Sequence, residues 1–503
     1  MRPLRPRINR GGSRDGEQAL ATVPTTASPP LPVGAAGQSV APQRSKASGP
    51  SSRGQAGFGR SGLNTIATSW ISVVVSFATS IVIARSLGPT IKGGYDLTNA
   101  TGNLAALALG LSLDSGTAYV VARGFVKPGA LVRPLFWWAI AQGAITAFTI
   151  VALYTTPLAD AVVPTSLGLA VVLPLAAFVT LMSLNGYLRS VLMGQRRIIA
   201  ANKGDLTGRL FVPLVICASF AALLVVGGRP GVLLFLWCNV AGLVVTCILF
   251  LHQLRPELRD AGGPKRPRAI VSFAFPAYVS NVVQFLNYRL DLFLVNVFLG
   301  MTAVGLYALA VSVAQLIWLL PQAAAAVLLP HVAADVETAG GNALRSARVA
   351  RLTFLTCASG AIVLAVSGRV LIPFVYGKAF LGSLDAFLWL LPGITTYSLY
   401  TVLAAHIAGT GRPRLMLWIS CVALVVTLVL TLALIPRIGI RGAAIASTVS
   451  YTTSAALGTL VFVRLTRLSP RLLFIPTRDD FALAGKALAR LRSLPGGLPR
   501  ARP

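Results

Sequence analysis

Beyond its first sixty residues, the chain is a series of twelve long apolar runs. Their limits fall near 61–86, 94–122, 134–157, 163–191, 208–228 and 230–252, then 269–298, 302–332, 350–376, 382–410, 415–436 and 439–463. Each holds roughly 20 residues or more, which is what an α-helix needs to cross the hydrocarbon layer of a bilayer. The pattern predicts an all-α polytopic membrane protein with about twelve transmembrane helices. Pro174, Pro276, Pro321 and Pro392 lie inside runs and predict kinks, which helix bundles in membranes tolerate. Residues 1–60 are rich in Arg, Gly, Ser and Pro and are expected to form a disordered tail. They show no apolar core followed by a cleavage site, so no secretory signal peptide is expected.

One stretch departs from simple apolarity. Ser272 to Tyr307 is long enough to cross a bilayer yet carries polar and charged residues. At about 100° per residue, Asn281, Gln284, Asn287, Tyr288 and Asp291 share one face, while Arg289 points elsewhere. Charge within a span costs about 2.5–3.5 kcal/mol on insertion scales, so such groups usually face a bundle interior or a wet cavity. The stripe therefore predicts a helix lining a polar cavity. In the alternative, Arg289 and Asp291 lie near the end of the span and reach the headgroups. Polar groups mark other runs too: Asn64, Thr65, Ser69, Ser76 and Thr79 in the first, Asn99, Asn103 and Asp114 in the second, and Asn185, Tyr187 and Arg189 in the fourth.

The same stretch exposes an internal repeat. LGMTAVGLY at Leu299–Tyr307 echoes LGPTIKGGY at Leu87–Tyr95, with five identities at a constant offset of 212 residues. Each copy follows one long apolar run and opens another. A period of this length points to two halves of one transporter rather than to a solenoid. The expected halves are 61–252 and 269–463, each a six-helix bundle. They are joined by a basic linker, 253–268, and followed by a basic tail, 464–503. Six is an even number of crossings, so the halves share one orientation and their pseudo-twofold axis runs along the membrane normal. Thr79 and Phe77 stand at the repeat positions of Asp291 and Arg289, so that charge pair belongs to the second half alone.

Charge adds direction. Only 12% of residues are charged, the net charge is +30, and mean hydropathy is +0.74. The basic residues sit mainly in the tails and in alternate loops, such as Arg123–Arg133, Arg196–Lys203, Arg255–Arg268 and Arg345–Arg351. This is the positive-inside pattern, which places both termini in the cytoplasm; it is not a nucleic-acid surface. Phe481 to Leu491 is weakly amphipathic and reads either as a segment on the inner leaflet or as a solvated tail. The five cysteines lie in apolar runs without metal-ligand spacing. The three histidines are far apart, and neither a nucleotide-binding loop nor paired carboxylates occur. No enzyme activity, metal or cofactor is implied.

IARSLGPTIKGGYDL and GTAYVVARG in the first half, with YRLDLFLVNVFLGMTAVGLYALA, VLLPHVA and HIAGTGRPRL in the second, resemble the bacterial polysaccharide transporter family of lipid-linked oligosaccharide (O-antigen type) flippases. That family lies within the multidrug/oligosaccharidyl-lipid/polysaccharide flippase superfamily. The resemblance covers roughly 60–465. It implies two bundles facing each other in a V, alternating access, and translocation of a polyprenyl-pyrophosphate-linked oligosaccharide across the bacterial cytoplasmic membrane. A polysaccharide polymerase or glycosyltransferases would be partners beside membrane lipids. Cationic groups suit the phosphates, and hydroxyls and amides suit the sugars. Arg289, Arg189 and Arg209 are the candidates for the first role. Asn281, Gln284, Asn287 and Tyr288 are candidates for the second, with Asp291, Asn64 and Ser69 completing the cavity set. The rival readings are a cation-coupled multidrug exporter, which needs acidic residues such as Asp291, Asp114 or Asp96 in its cavity, a lipid II-type flippase, and a non-transporting scaffold.

The charge pattern sets a topological expectation. In cysteine-accessibility labelling, sites near Lys265 and Arg348 should react from the cytoplasm, and sites near Asp160 and Lys378 from outside. Lys265 and Asp160 on the same side would end the twelve-span scheme.

Overall fold

The computed structural model describes residues 52–157, 159–227, 231–258, 267–334 and 339–475. The greater part of each tail, the middle of the linker and the segment Phe481–Leu491 lie outside the described residues. Among those described there is no strand. The helices are α1 (Ser52–Gly110), α2 (Leu113–Ala122), α3 (Pro128–Leu153), α4 (Val172–Gly194), α5 (Ile198–Val226), α6 (Val232–Gln253), α7 (Pro267–Ala314), α8 (Leu319–Ala334), α9 (Ala339–Tyr376), α10 (Ser383–Gly409), α11 (Pro413–Ile438) and α12 (Ile440–Thr466), closed by a short α13 (Arg471–Phe474). Residues 52–60, expected within the disordered tail, extend α1; no proline interrupts them. At the other end, Leu473 of α13 is buried and the Arg351 guanidinium donates to the Leu472 carbonyl at 2.5 Å, so the start of the basic tail is docked against α9.

Ten helical stretches among the described residues are long and apolar enough to cross a membrane. Two are too long for one crossing: Trp70–Gly110 has 41 residues and Ala274–Ala333 has 60. At about 1.5 Å per residue, both far exceed a hydrocarbon layer of about 30 Å. Each is broken where the repeat predicts a turn, at Gly88 (φ 71°) and Gly300 (φ 77°). Positive φ is open to glycine without steric cost, which accounts for the Leu-Gly pair in both copies. Counting each broken stretch twice gives the expected twelve crossings.

Other breaks follow familiar chemistry. Proline opens α3 and α11, where its missing N–H costs nothing. One break was not legible in the sequence. The second apolar run, expected as one helix over 94–122, is interrupted at Leu111 and Ser112, both with φ near 48°. Neither is glycine, so the backbone there is strained.

The two halves repeat their neighbours. Helix α3 packs on α4 as α9 packs on α10; α4 packs on α6 as α10 on α12; α5 packs on α6 as α11 on α12. Large apolar side chains also point outward, including Phe148, Val366 and Trp418 at 76%, 78% and 73% exposure. A helix apolar on its outer as well as its inner face belongs in lipid.

The halves meet at the two repeat turns. Thr90 Oγ1 lies 2.8 Å from Thr302 Oγ1. A Cβ on Gly93 would lie 1.9 Å from the Met301 carbonyl oxygen, and a Cβ on Gly305 would lie 2.0 Å from that of Pro89. These contacts exchange under the 212-residue offset, as a twofold axis requires. Hydrogen bonds flank them: Arg85 donates to the carbonyls of Phe374 and Val375, and Asn296 to that of Asp160. Gly93→Ala should therefore force the turns apart. A cost of about 1–3 kcal/mol is expected for overpacking, visible as a lower unfolding midpoint in detergent. Gly186→Ala, whose Cβ would meet nothing within 4 Å inside helix α4, should leave the midpoint unlowered or raise it slightly.

Candidate functional site

A cavity of about 320 Å³ lies between the halves. The limb of α1 beyond Gly88 contributes Asp96, Asn99, Ala100 and Asn103, spaced as one helix face. Helix α7 contributes Phe285 and Arg289 before its break, and Ala308 and Ser312 after it. Asp96 with Ala308, and Ala100 with Ser312, stand 212 positions apart in the sequence. Repeat-related positions thus face one space from its two sides, and the cavity sits on the pseudo-twofold.

The cavity's polar groups differ in what satisfies them. Asp96 Oδ2 accepts from Lys92 Nζ at 2.5 Å. The Asn99 amide donates to the Tyr95 carbonyl at 2.9 Å, and the Asn103 amide to the Asn99 carbonyl at 2.6 Å. A carbonyl can be met only by the amide N–H, so each asparagine keeps its side-chain oxygen free to accept. Ser312 donates to the Ala308 carbonyl at 2.7 Å. Half-buried Arg289 makes no hydrogen bond or ion pair to any described residue. With Asp96 paired to Lys92, Arg289 is the charged cavity-lining group left without an ion pair among the described residues, although the buried Asp291 two residues on still attracts it.

The polar stripe is a real helix face, but it points elsewhere. Gln284 Nε2 lies 3.3 Å from the Tyr397 hydroxyl, and the Tyr288 hydroxyl 3.0 Å from the same group. Asn287 donates to the Ser420 carbonyl at 2.9 Å. Buried Asp291 accepts from the Tyr307 hydroxyl, from Ser447 Oγ at 3.1 Å and from the Leu292 N–H at 2.8 Å. These residues face the hydroxyl-rich sides of α10, α11 and α12 within the second half. Gln284, Asn287 and Tyr288 line a space there of only about 10 Å³, room for about one water. The expectation that Gln284 and Asp291 face a cavity between the halves is thus corrected. Periodicity groups residues on one face without saying which neighbour that face meets. Asn281 alone of the stripe reaches across, donating to Ser112 Oγ at 3.1 Å.

Arg189 and Arg209 are not brought to the cavity. Arg189 on α4 pairs with Asp205 on α5 at 2.6 Å. Arg209 is exposed on α5 and is not among the cavity-lining residues. Asn64 and Ser69 fall on the first limb of α1, and their side chains lie outside the described residues. The wall has a signal in the sequence, since Asp96, Asn99 and Asn103 recur at helical spacing inside an apolar run, although none of the three belongs to the cavity set expected above. Among the described residues no three potential metal ligands gather.

The buried Asp291 network generates one expectation. Tyr307→Phe removes a hydroxyl from a buried carboxylate, which should cost about 1–3 kcal/mol of stability. A lower unfolding midpoint with unchanged affinity for a cavity ligand would match a structural role. Lost affinity at an unchanged midpoint would return Asp291 to the binding site.

The fold has known counterparts. A structure described as the lipid II flippase MurJ in an inward closed conformation superposes with a TM-score of 0.65 at 12% identity, covering 86% of this chain and 91% of that one. An inward-facing multidrug resistance MATE family transporter of the MOP superfamily gives 0.60 at 15% identity, covering 78% and 98%. A MOP superfamily transporter from Pyrococcus furiosus gives 0.53 at 16%, covering 82% and 95%. At these identities the likeness is one of fold. No curated protein matches in sequence. Residues 129–385, just over half the chain and reaching from α3 into α10, match the family described as polysaccharide biosynthesis protein. With that match on a MurJ- and MATE-like frame, the chain belongs to the polysaccharide biosynthesis protein family.

Proposed function

We propose that this multi-pass membrane protein flips a polyprenyl-pyrophosphate-linked oligosaccharide across the bacterial cytoplasmic membrane by alternating access. The halves 61–252 and 269–463 are the moving bodies, and both termini lie in the cytoplasm. The observation that carries the reading is Arg289, a guanidinium facing a polar inter-half cavity with no hydrogen-bond or ion-pair partner among the described residues. Guanidinium binds phosphate oxygens through a planar fork. The asparagine oxygens on the facing wall suit sugar hydroxyls. A volume of about 320 Å³ is at the low end of ligand pockets, which run to about 1,000 Å³, so a pyrophosphate and its first sugar would occupy it. Further sugars would need the halves to part. The polyprenyl tail would stay in the lipid. A polymerase or glycosyltransferases at the same membrane would use or supply the substrate.

The multidrug-exporter reading needs a free carboxylate in this cavity. Asp96 is paired with Lys92 and Asp291 lies off the cavity, so the arrangement favours an anionic cargo.

Arg289→Ala should weaken binding about ten- to hundredfold, the equivalent of one or two charged hydrogen bonds, and abolish export of the lipid-linked glycan. Arg289→Lys should restore it in part, because lysine keeps the charge and loses the fork. Protein abundance in the membrane is measured alongside. Wild-type export by Arg289→Ala at normal abundance would remove Arg289 from the site and favour an acid-centred exporter.

A further inference from the structure

Lys92 and Asp96 form an ion pair one helical turn apart on the second limb of α1. Only the aspartate lines the cavity. The lysine is 2% exposed, an unusual place for an ammonium group. The repeat shows what the fold itself requires there. Val304 and Ala308 occupy the equivalent positions in the second half, both buried, at 0% and 3% exposure. Apolar residues satisfy the packing, so a charged pair in the first half answers to the cavity. On this wall Asp96 stands above the side-chain oxygens of Asn99 and Asn103, all three able to accept hydrogen bonds. Arg289, on the α7 side, can only donate.

We infer that Asp96, Asn99 and Asn103 form a subsite for the hydroxyls of the sugar nearest the pyrophosphate, and that Lys92 is a positioning residue that holds the Asp96 carboxylate and cancels its charge. The inference rests on the flippase reading and divides its cavity into a phosphate side, at Arg289, and a sugar side, on α1. A carboxylate is a strong acceptor for sugar hydroxyls. Without a counter-ion it would repel the pyrophosphate. It would also offer Arg289 the planar partner that guanidinium prefers, and so remove the phosphate ligand. Pairing within one helix, at i and i+4, prevents both and does not depend on how the halves are disposed.

The test uses the full-length purified protein and two probes: farnesyl pyrophosphate, and the same lipid bearing one N-acetylhexosamine. Wild type should bind the sugar-bearing probe about tenfold more tightly, the value of one charge-assisted hydrogen bond. Lys92→Met should weaken both probes at least tenfold. Lys92→Met/Asp96→Asn, which removes both charges and keeps an acceptor, should recover the binding of farnesyl pyrophosphate. Lys92→Val/Asp96→Ala copies the second half and should fold, shown by normal abundance and unfolding midpoint. It should bind farnesyl pyrophosphate as wild type does and lose its preference for the sugar. Equal binding of both probes by wild type would overturn the inference. So would unaltered binding by Lys92→Met, failure of the Met/Asn double variant at normal abundance, or a preference retained by the Val/Ala variant. Failure of wild type to bind either probe is a separate result, which would instead defeat the flippase reading.

Discussion

Two backbone turns in van der Waals contact hold the frame together. Gly93 rides against the Met301 carbonyl and Gly305 against that of Pro89, with Thr90 and Thr302 joined between them. A side chain at either glycine would occupy the space of a carbonyl oxygen. Small residues are how membrane helices bring backbones together when lipid gives no hydrophobic drive. The contact fixes the separation of the limbs that descend from it, α1 beyond Gly88 and α7 beyond Gly300. Those limbs supply Asp96, Ala100, Ala308 and Ser312 to the cavity, and so the width of the site is set at the turns.

A symmetric frame carries asymmetric chemistry. The repeat gives both halves the same neighbour relations and the same turn, but not the same polar groups. Asp96 faces the cavity where its mate is Ala308; Ser312 faces it where its mate is Ala100; Arg289 has Phe77 as its mate. The cavity consequently has an acceptor wall and a donor wall. On the proposed reading, a cargo with an anionic end and a hydroxylated end would sit there with the anionic end toward Arg289. Hydrophobic matching alone gives no such direction, because both walls are built on equivalent apolar helices.

Much of this was legible because membranes limit the choices. Apolar runs of the right length announced the crossings, and the Leu-Gly repeat announced the turns and the two halves. Arg289 stood out because a charge in an apolar run needs an explanation. The direction of the Asn281–Asp291 face was not legible. Its neighbours Tyr397, Ser420 and Ser447 lie more than a hundred residues away in sequence, and only packing reveals that two hydroxyls and the Ser420 carbonyl meet it. The break at Leu111 and Ser112 was equally hidden, since no glycine or proline marks it. Its partner Asn281 comes from the other half, which suggests why strain is stored at that point: an inter-half hydrogen bond at 3.1 Å meets the displaced turn.

What joins the halves is a mixture of apolar and polar contacts, for Ala84, Leu97 and Ala100 of the first half share the second half's buried cluster and Phe77 packs edge-on against Tyr376. Within the halves the contacts are dominated by buried apolar clusters, such as Tyr307, Phe380, Phe387 and Ile394 in the second and Val120, Leu188 and Phe250 in the first. Between them, outside the turn contact, the named bonds run from Arg85, Asn296 and Asn281 to backbone carbonyls and one serine hydroxyl. Water can replace such bonds at small net cost, because an intramolecular hydrogen bond contributes only about 0.5–1.5 kcal/mol beyond its hydrated alternative. Apolar cores have no comparable substitute on the side that faces water. On the proposed reading, parting the halves at the cavity breaks these polar bonds at little cost, the apolar contact of Phe77, Leu97 and Ala100 with the second half is what must open or slide, and a charged ligand bound at Arg289 would be exposed to solvent without crossing lipid.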